Sequence, residues 1–152
     1  MMVRDIVQIG NPILRKKCEK VTEFGKELSS LLDDMKETVI AYDGAGLAAP
    51  QIGVNLRVVV INVDEGYFEL VNPVFVWQKG EQIGAEGCLS VRGKQGTVVR
   101  PSKVKILFQD RNGDKFSLVA RDFLARAICH ELDHLDGIIY TDKATNVRNS
   151  ED

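Results

Sequence analysis

Asp122–Leu135 reads DFLARAICHELDHL, and no other stretch says as much about the fold. It reads as one helix, with Asp122 as its N-cap and Gly137 just beyond its end as the stop. Within it, His130-Glu131-Leu132-Asp133-His134 places two imidazoles four residues apart, on one helix face. Both can reach a single metal ion, and Glu131 can contact a water at that ion's open position. These are the only two histidines in the chain. Chance would set two histidines four apart in roughly 1% of arrangements, and with Glu after the first in about one in a thousand. A merely polar surface helix is therefore the weaker reading.

Upstream of this helix the sequence is rich in short strands. Val104–Gln109 and Lys115–Val119 read as two of them, with Asn112–Gly113 between as a positive-φ turn pair. Arg57–Val63 is a valine and isoleucine run, and Phe68–Val76 is a further strand interrupted near Asn72–Pro73. Gly44–Gly53 carries too much glycine and proline for a helix, yet is unusually apolar for a loop. Before it, Leu28, Leu31, Leu32, Met35 and Val39 recur at helical spacing, predicting a helix over Lys26–Ala41 that ends near Asp43–Gly44. Helix, several strands, helix is the order of an α+β domain with mainly antiparallel sheet.

The 152 residues suit one small domain, taken as 1–152, with the polar end from about 145 to 152 as a frayed tail. Net charge of -2 argues against direct nucleic-acid binding, and no apolar run is long enough for a membrane span. Met1–Gly10 lacks the pattern of a secretory signal, and no transit peptide is visible. Three sparse cysteines, Cys18, Cys88 and Cys129, describe no disulfide framework and suit a reducing cytoplasm.

A catalytic metal needs a third protein ligand from outside the pentapeptide. Cys88, in Glu86-Gly87-Cys88-Leu89-Ser90, is the best candidate, because glycine allows close backbone approach and a thiolate suits zinc or ferrous iron. Taken alone, a small buried hydrophobe is the plainer reading of such a cysteine. Cys129 lies about 100° around the helix from His130 and should point away, and Cys18 reads as core. Asp133 reads either as an acceptor orienting an imidazole or as a solvated charge.

Three segments now stand in order: GAGLAAPQ at 44–51, EGCLS at 86–90 and HELDH at 130–134. Together with RPSKVKI at 100–106 and HLDG at 134–137, they make the chain resemble the peptide deformylases along almost its whole length. The resemblance implies a small α+β domain with antiparallel sheets packed around the central HExxH helix. It implies hydrolysis of the N-formyl group from formyl-methionine at the start of new polypeptides, in the bacterial cytoplasm. Cys88, His130 and His134 would hold one divalent ion, with ferrous iron expected and zinc or nickel able to replace it. A ferrous site beside a thiolate would be oxygen-sensitive. Glu131 would be the acid–base. The Gln51 amide and the Leu89 N–H would hold the oxyanion, and Gly46 would meet the substrate backbone. Ala45, Glu86, Gly87, Phe123, Arg126 and Ala127 would also line the substrate cleft. For Phe123 and Ala127, plain core packing is an equal alternative, and Arg126 could instead pair with Glu86.

Two positions depart from the family pattern. Arg92 stands where proline is common, and Cys129 stands where glutamine is common. The first bears on the loop after Cys88, the second on hydrogen bonding around the ligands. Transient proximity to the ribosome follows from the substrate, and no ribosome docking is read from the short polar tail. A different HExxH peptidase would leave Cys88 and GLAAPQ without roles. A non-catalytic binding descendant would be expected to have lost Glu131, Gln51 or a ligand, and none is lost.

Overall fold

β2 (Val58–Val63) shows how the molecule is layered. Its side chains alternate between two apolar clusters. Val58 and Val60 pack with Leu28, Leu32, Met35 and Val39 of α1 (Lys26–Ala41). Val59 and Ile61 pack with Ala125, Ile128 and Leu132 of α2 (Asp122–Leu135). Both faces of the strand are thus covered by helices, which is why its sequence is a continuous β-branched run rather than an alternating one. The computed structural model describes residues 2–150.

Around β2 stands a five-stranded antiparallel sheet in the order β1 (Gly46–Ala48), β2, β3 (Gly66–Lys79), β6 (Lys103–Gln109), β7 (Lys115–Arg121). A second antiparallel sheet joins β4 (Gln82–Cys88), β5 (Val91–Arg100) and β8 (Thr145–Asn149). The α+β class with antiparallel sheets around the HELDH helix is what the sequence predicts.

Both helix spans agree with expectation, but the start of α2 does not. The N-cap is Arg121, without a side-chain cap, and Asp122 is the first helical residue at φ 54°. Backbone contacts hold this corner instead. The Asp122 N–H donates to Ser102 O at 2.9 Å, and Gln82 Nε2 donates to Asp122 O at 2.7 Å. The predicted break at Asn72–Pro73 is a bulge within β3. Asn72 sits at φ 51°, and its side chain clasps the main chain of Val21 at 2.8 and 2.9 Å. Asn112–Gly113 is no two-residue turn. The loop runs from Asp110 to Asp114, the Asp110 carboxylate accepts from the Asn112 and Asp114 N–H groups, and only Gly113 of the pair takes positive φ.

The expected frayed tail needs correction over Thr145–Asn149. Its backbone pairs with β5, with Lys94 opposite Asn149 and Gln95 opposite Arg148, so ladder bonds hold a polar segment that buries little. Positions 151 and 152 of that tail lie outside the described residues.

α2 stops as predicted. Gly137 adopts φ 75°, its N–H bonds to His134 O, and the Ile138 N–H bonds to Asp133 O, a Schellman pattern. A Cβ at Gly137 would lie 2.5 Å from Arg15 O, a backbone atom that cannot swing aside. Gly137→Ala is therefore expected to cost about 1–3 kcal/mol from backbone strain alone, with the clash added. Urea unfolding measures it, and an unchanged midpoint would contradict the argument.

Candidate active site

Three elements converge beneath a cleft. α2 supplies His130, Glu131 and His134, the end of β4 supplies Cys88, and a turn of 3-10 helix after β1 (Ala49–Ile52) supplies Gln51. One ligand atom each from Cys88, His130 and His134 lie within 4.8 Å of one another, and Cys88 Sγ is 3.3 Å from His134 Nε2. Cys18 and Cys129 are both in the α2 core, where burial pushes each thiol up to about 11. Of the three cysteines, Cys88 alone joins the histidines.

The donor set fits a divalent metal. His130 Nδ1 lies 2.9 Å from Glu86 Oε1, so the carboxylate holds the proton on Nδ1 and leaves Nε2 as a free electron pair facing the other ligands. His134 is fully buried, with Nε2 turned to Cys88. Two imidazoles and a thiolate at one point, with space beside them, match an open catalytic site rather than a closed structural one.

Glu131, one position further along the helix, is also buried, with Oε2 3.9 Å from His130 Nε2. Burial pushes its carboxyl up to about 7, against the pull of His130. It lies so close to β1 that a Cβ at Gly46 would be 2.8 Å from Glu131 Cγ and Oε2. Glycine at 46 is thus needed to seat Glu131, in addition to lining the cleft.

Gln51 is 1% exposed and its amide orientation is fixed. Oε1 accepts from the Ala48 N–H at 3.0 Å, which turns Nε2 toward Ser90 Oγ at 3.1 Å and Cys88 Sγ at 3.6 Å. One Nε2 hydrogen goes to Ser90, leaving the other on the side of the ligands.

The cleft encloses about 600 Å³. It is lined by Ala45, Gly46, Gly87, Phe123, Arg126 and Ala127, expected on the substrate side, and by Gln51 and Leu89, expected at the oxyanion. Phe123 is 55% exposed, so core packing does not explain it, whereas Ala127 is buried in both the core and the wall. Arg92 lies on the outer rim.

Glu86 has partners beyond the cleft. It contributes to the cleft wall, but its carboxylate is fully engaged behind it. Arg100 donates through Nε and Nη2 at 2.9 Å each, Arg126 through Nη1 at 2.5 Å, and His130 through Nδ1. Burial alone would raise the Glu86 carboxyl, but the hydrogen bonds from His130 and Arg100 outweigh it and hold it at about 2. Arg126 does pair with Glu86. The carboxylate on an imidazole is also Glu86 rather than Asp133, which pairs with Arg100 at 2.7 Å and Lys143 at 3.0 Å.

Sequence reasoning missed Arg100, although it opens the quoted RPSKVKI segment. It also missed Tyr140, whose ring stacks 5.9 Å from His130, and Ser90 as the partner of Gln51.

A buried carboxylate beside convergent imidazole and thiolate donors, on one exposed cleft, places the protein among metal-dependent hydrolases of the HExxH class. Comparison with known proteins narrows the class. The sequence model of the polypeptide deformylase family matches residues 3–150. A peptide deformylase of Caldanaerobacter subterraneus subsp. tengcongensis is 49% identical over 152 residues, covering 100% of this chain and 96% of the relative. The crystal structure of the Thermotoga maritima peptide deformylase superposes with a TM-score of 0.93 at 32% identity, covering 95% of this chain and 99% of that one. That of Synechococcus elongatus, in complex with actinonin, gives 0.91 at 36% identity, covering 94% and 79%. The chain belongs to the polypeptide deformylase family. It is a metal-dependent amide hydrolase that removes the N-formyl group from the formyl-methionine ends of newly made polypeptides.

Proposed function

We propose that Cys88, His130 and His134 hold the metal, Glu131 carries the proton, and Gln51 with the Leu89 N–H binds the oxyanion. The convergence of the three ligand atoms beside buried Glu131 carries this reading. A divalent ion held there supplies Lewis acidity, lowering the pKa of a water toward neutrality. Glu131 accepts a proton from the attacking water and delivers it to the leaving amine. Its elevated carboxyl suits both halves of that transfer. As the carbonyl becomes tetrahedral, charge builds on its oxygen, and Gln51 Nε2 and the Leu89 N–H donate to it. Formate and a free methionine amine result.

The methionine side chain enters the apolar part of the cleft, against Ala45, Phe123, Ala127 and the Arg126 stem, with Gly46 and Gly87 beside the backbone. Glu86 acts from behind the wall and does not touch substrate. Residues 1–152 work as one catalytic domain.

Ferrous iron is the ion we assign, with zinc and nickel as substitutes. One thiolate and two neutral imidazoles leave a divalent centre at about +1, so ion identity should affect the rate. The working place we assign is the bacterial cytoplasm, where nascent chains bring the protein transiently near ribosomes. The 49%-identical relative is bacterial, and no described helix is long and apolar enough to cross a membrane.

The test is formate release from a formyl-Met peptide by anaerobic protein loaded in parallel with ferrous iron, nickel or zinc. Gln51→Leu, retaining its metal, should lower kcat by about 10²–10³. Folded, metal-loaded wild type that releases no formate would refute the proposal, and a fully active Gln51→Leu would remove Gln51 from it.

A further inference from the structure

The segment at 7–9, before the first helix, is bonded to both loops that carry the proposed oxyanion donors. The Val7 N–H donates to Gln51 O at 2.7 Å, and the Ile9 N–H donates to Ser90 O at 2.8 Å. Between them, Gln8 reaches the loop after Cys88 through its side chain. Gln8 Nε2 donates to Leu89 O at 2.9 Å and to Ile6 O at 3.3 Å, while Oε1 accepts from the Arg92 N–H at 3.4 Å. Two carbonyls against one N–H fix the amide: nitrogen must face Leu89.

The Leu89 oxygen belongs to the same planar peptide unit as the Ser90 N–H. In a trans peptide these two groups point in opposite directions. Gln8 grips the oxygen, and on the far side the Ser90 N–H lies 3.4 Å from Cys88 Sγ. We infer that Gln8 is a positioning residue, which locks the Leu89–Ser90 peptide so that the Ser90 N–H donates to the Cys88 thiolate and tunes the metal centre. An N–H donor draws electron density from sulfur, weakening the thiolate as a ligand and leaving the ion more positive. This role rests on Cys88 being a metal ligand, as proposed above.

The probe is cobalt(II), whose bond to a thiolate gives a sulfur-to-metal charge-transfer band. Wild type, Gln8→Ala and Gln8→Glu are loaded with cobalt. Asn11→Ala serves as a control, because Asn11 caps a nearby turn through the Ile13 N–H. Loss of the N–H bond makes the sulfur easier to oxidise, so the band should move to lower energy in Gln8→Ala. Gln8→Glu fills the same space and still accepts from Arg92, but sets an acceptor against Leu89 O, so it should shift at least as far. Formate kcat should fall about tenfold in both with KM held, while Asn11→Ala matches wild type. A packing role would tolerate Gln8→Glu. An unshifted band in both Gln8 variants would overturn the inference. No band in wild type would overturn the ligand set beneath it.

Discussion

Glu131→Gln should lose formate release by at least about 10²–10⁴-fold while keeping its metal. The amide is close to isosteric, so it can keep its seat against Gly46, where a Cβ would come within 2.8 Å of the native side chain. What it cannot do is accept a proton. Neither Glu86 nor Asp133 can take over, because Glu86 is engaged by Arg100, Arg126 and His130, and Asp133 by Arg100 and Lys143. Metal content and urea midpoint measured beside the rate separate lost chemistry from lost structure. A variant with full metal, unchanged stability and near-normal rate would show that the proton moves by another route.

Glu86→Ala should be the most destabilising change of a single side chain around the site. It strands two guanidinium groups at 3% and 5% exposure. Arg100 keeps Asp133, but Arg126 keeps only Val98 O at 3.2 Å, and its Nη2 has no partner among the described residues even in wild type. Breaking a buried pair by removing one partner costs about 3–5 kcal/mol, a large fraction of the roughly 5–15 kcal/mol that holds a domain together. His130 also loses the acceptor that fixes its tautomer, so metal affinity should fall about 10–100-fold. Glu86→Gln, which still presents an acceptor oxygen, should fall between wild type and Glu86→Ala in both respects. Urea unfolding of the apoprotein reads the first effect, and competition with a chelator reads the second. Wild-type values for both in Glu86→Ala would mean that the cluster is only decoration behind the wall.

The parts of this fold legible in sequence share a physical cause. α1, α2 and β2 each bury a regular set of side chains, so their periodicity survives in the residue order. β4 and β5 leave no strand pattern in the sequence, because Gly84, Gly87, Gly93 and Gly96 interrupt any alternation. Their sheet is half open to the cleft. β8 buries almost no side chain, and only its backbone partners reveal it.

The site divides in the same way. His130 and His134 announce themselves by helical spacing, and Cys88 becomes convincing only in the company of the other segments. The work of Glu86 depends on Arg100, 14 residues away on the paired strand, and on Arg126, 40 residues away on α2. No local pattern carries that. Gln8 stands 81 residues from the carbonyl it holds, in a segment with no motif of its own.

The most direct test is metal titration of the apoprotein against formate release. Activity should rise linearly and break at one ion per chain, as the one ligand cluster among the described residues, Cys88, His130 and His134, requires. Cys88→Ala, folded as wild type, should show no such rise at stoichiometric metal. Formate release without metal, or a Cys88→Ala titration that overlays the wild type, would contradict the account.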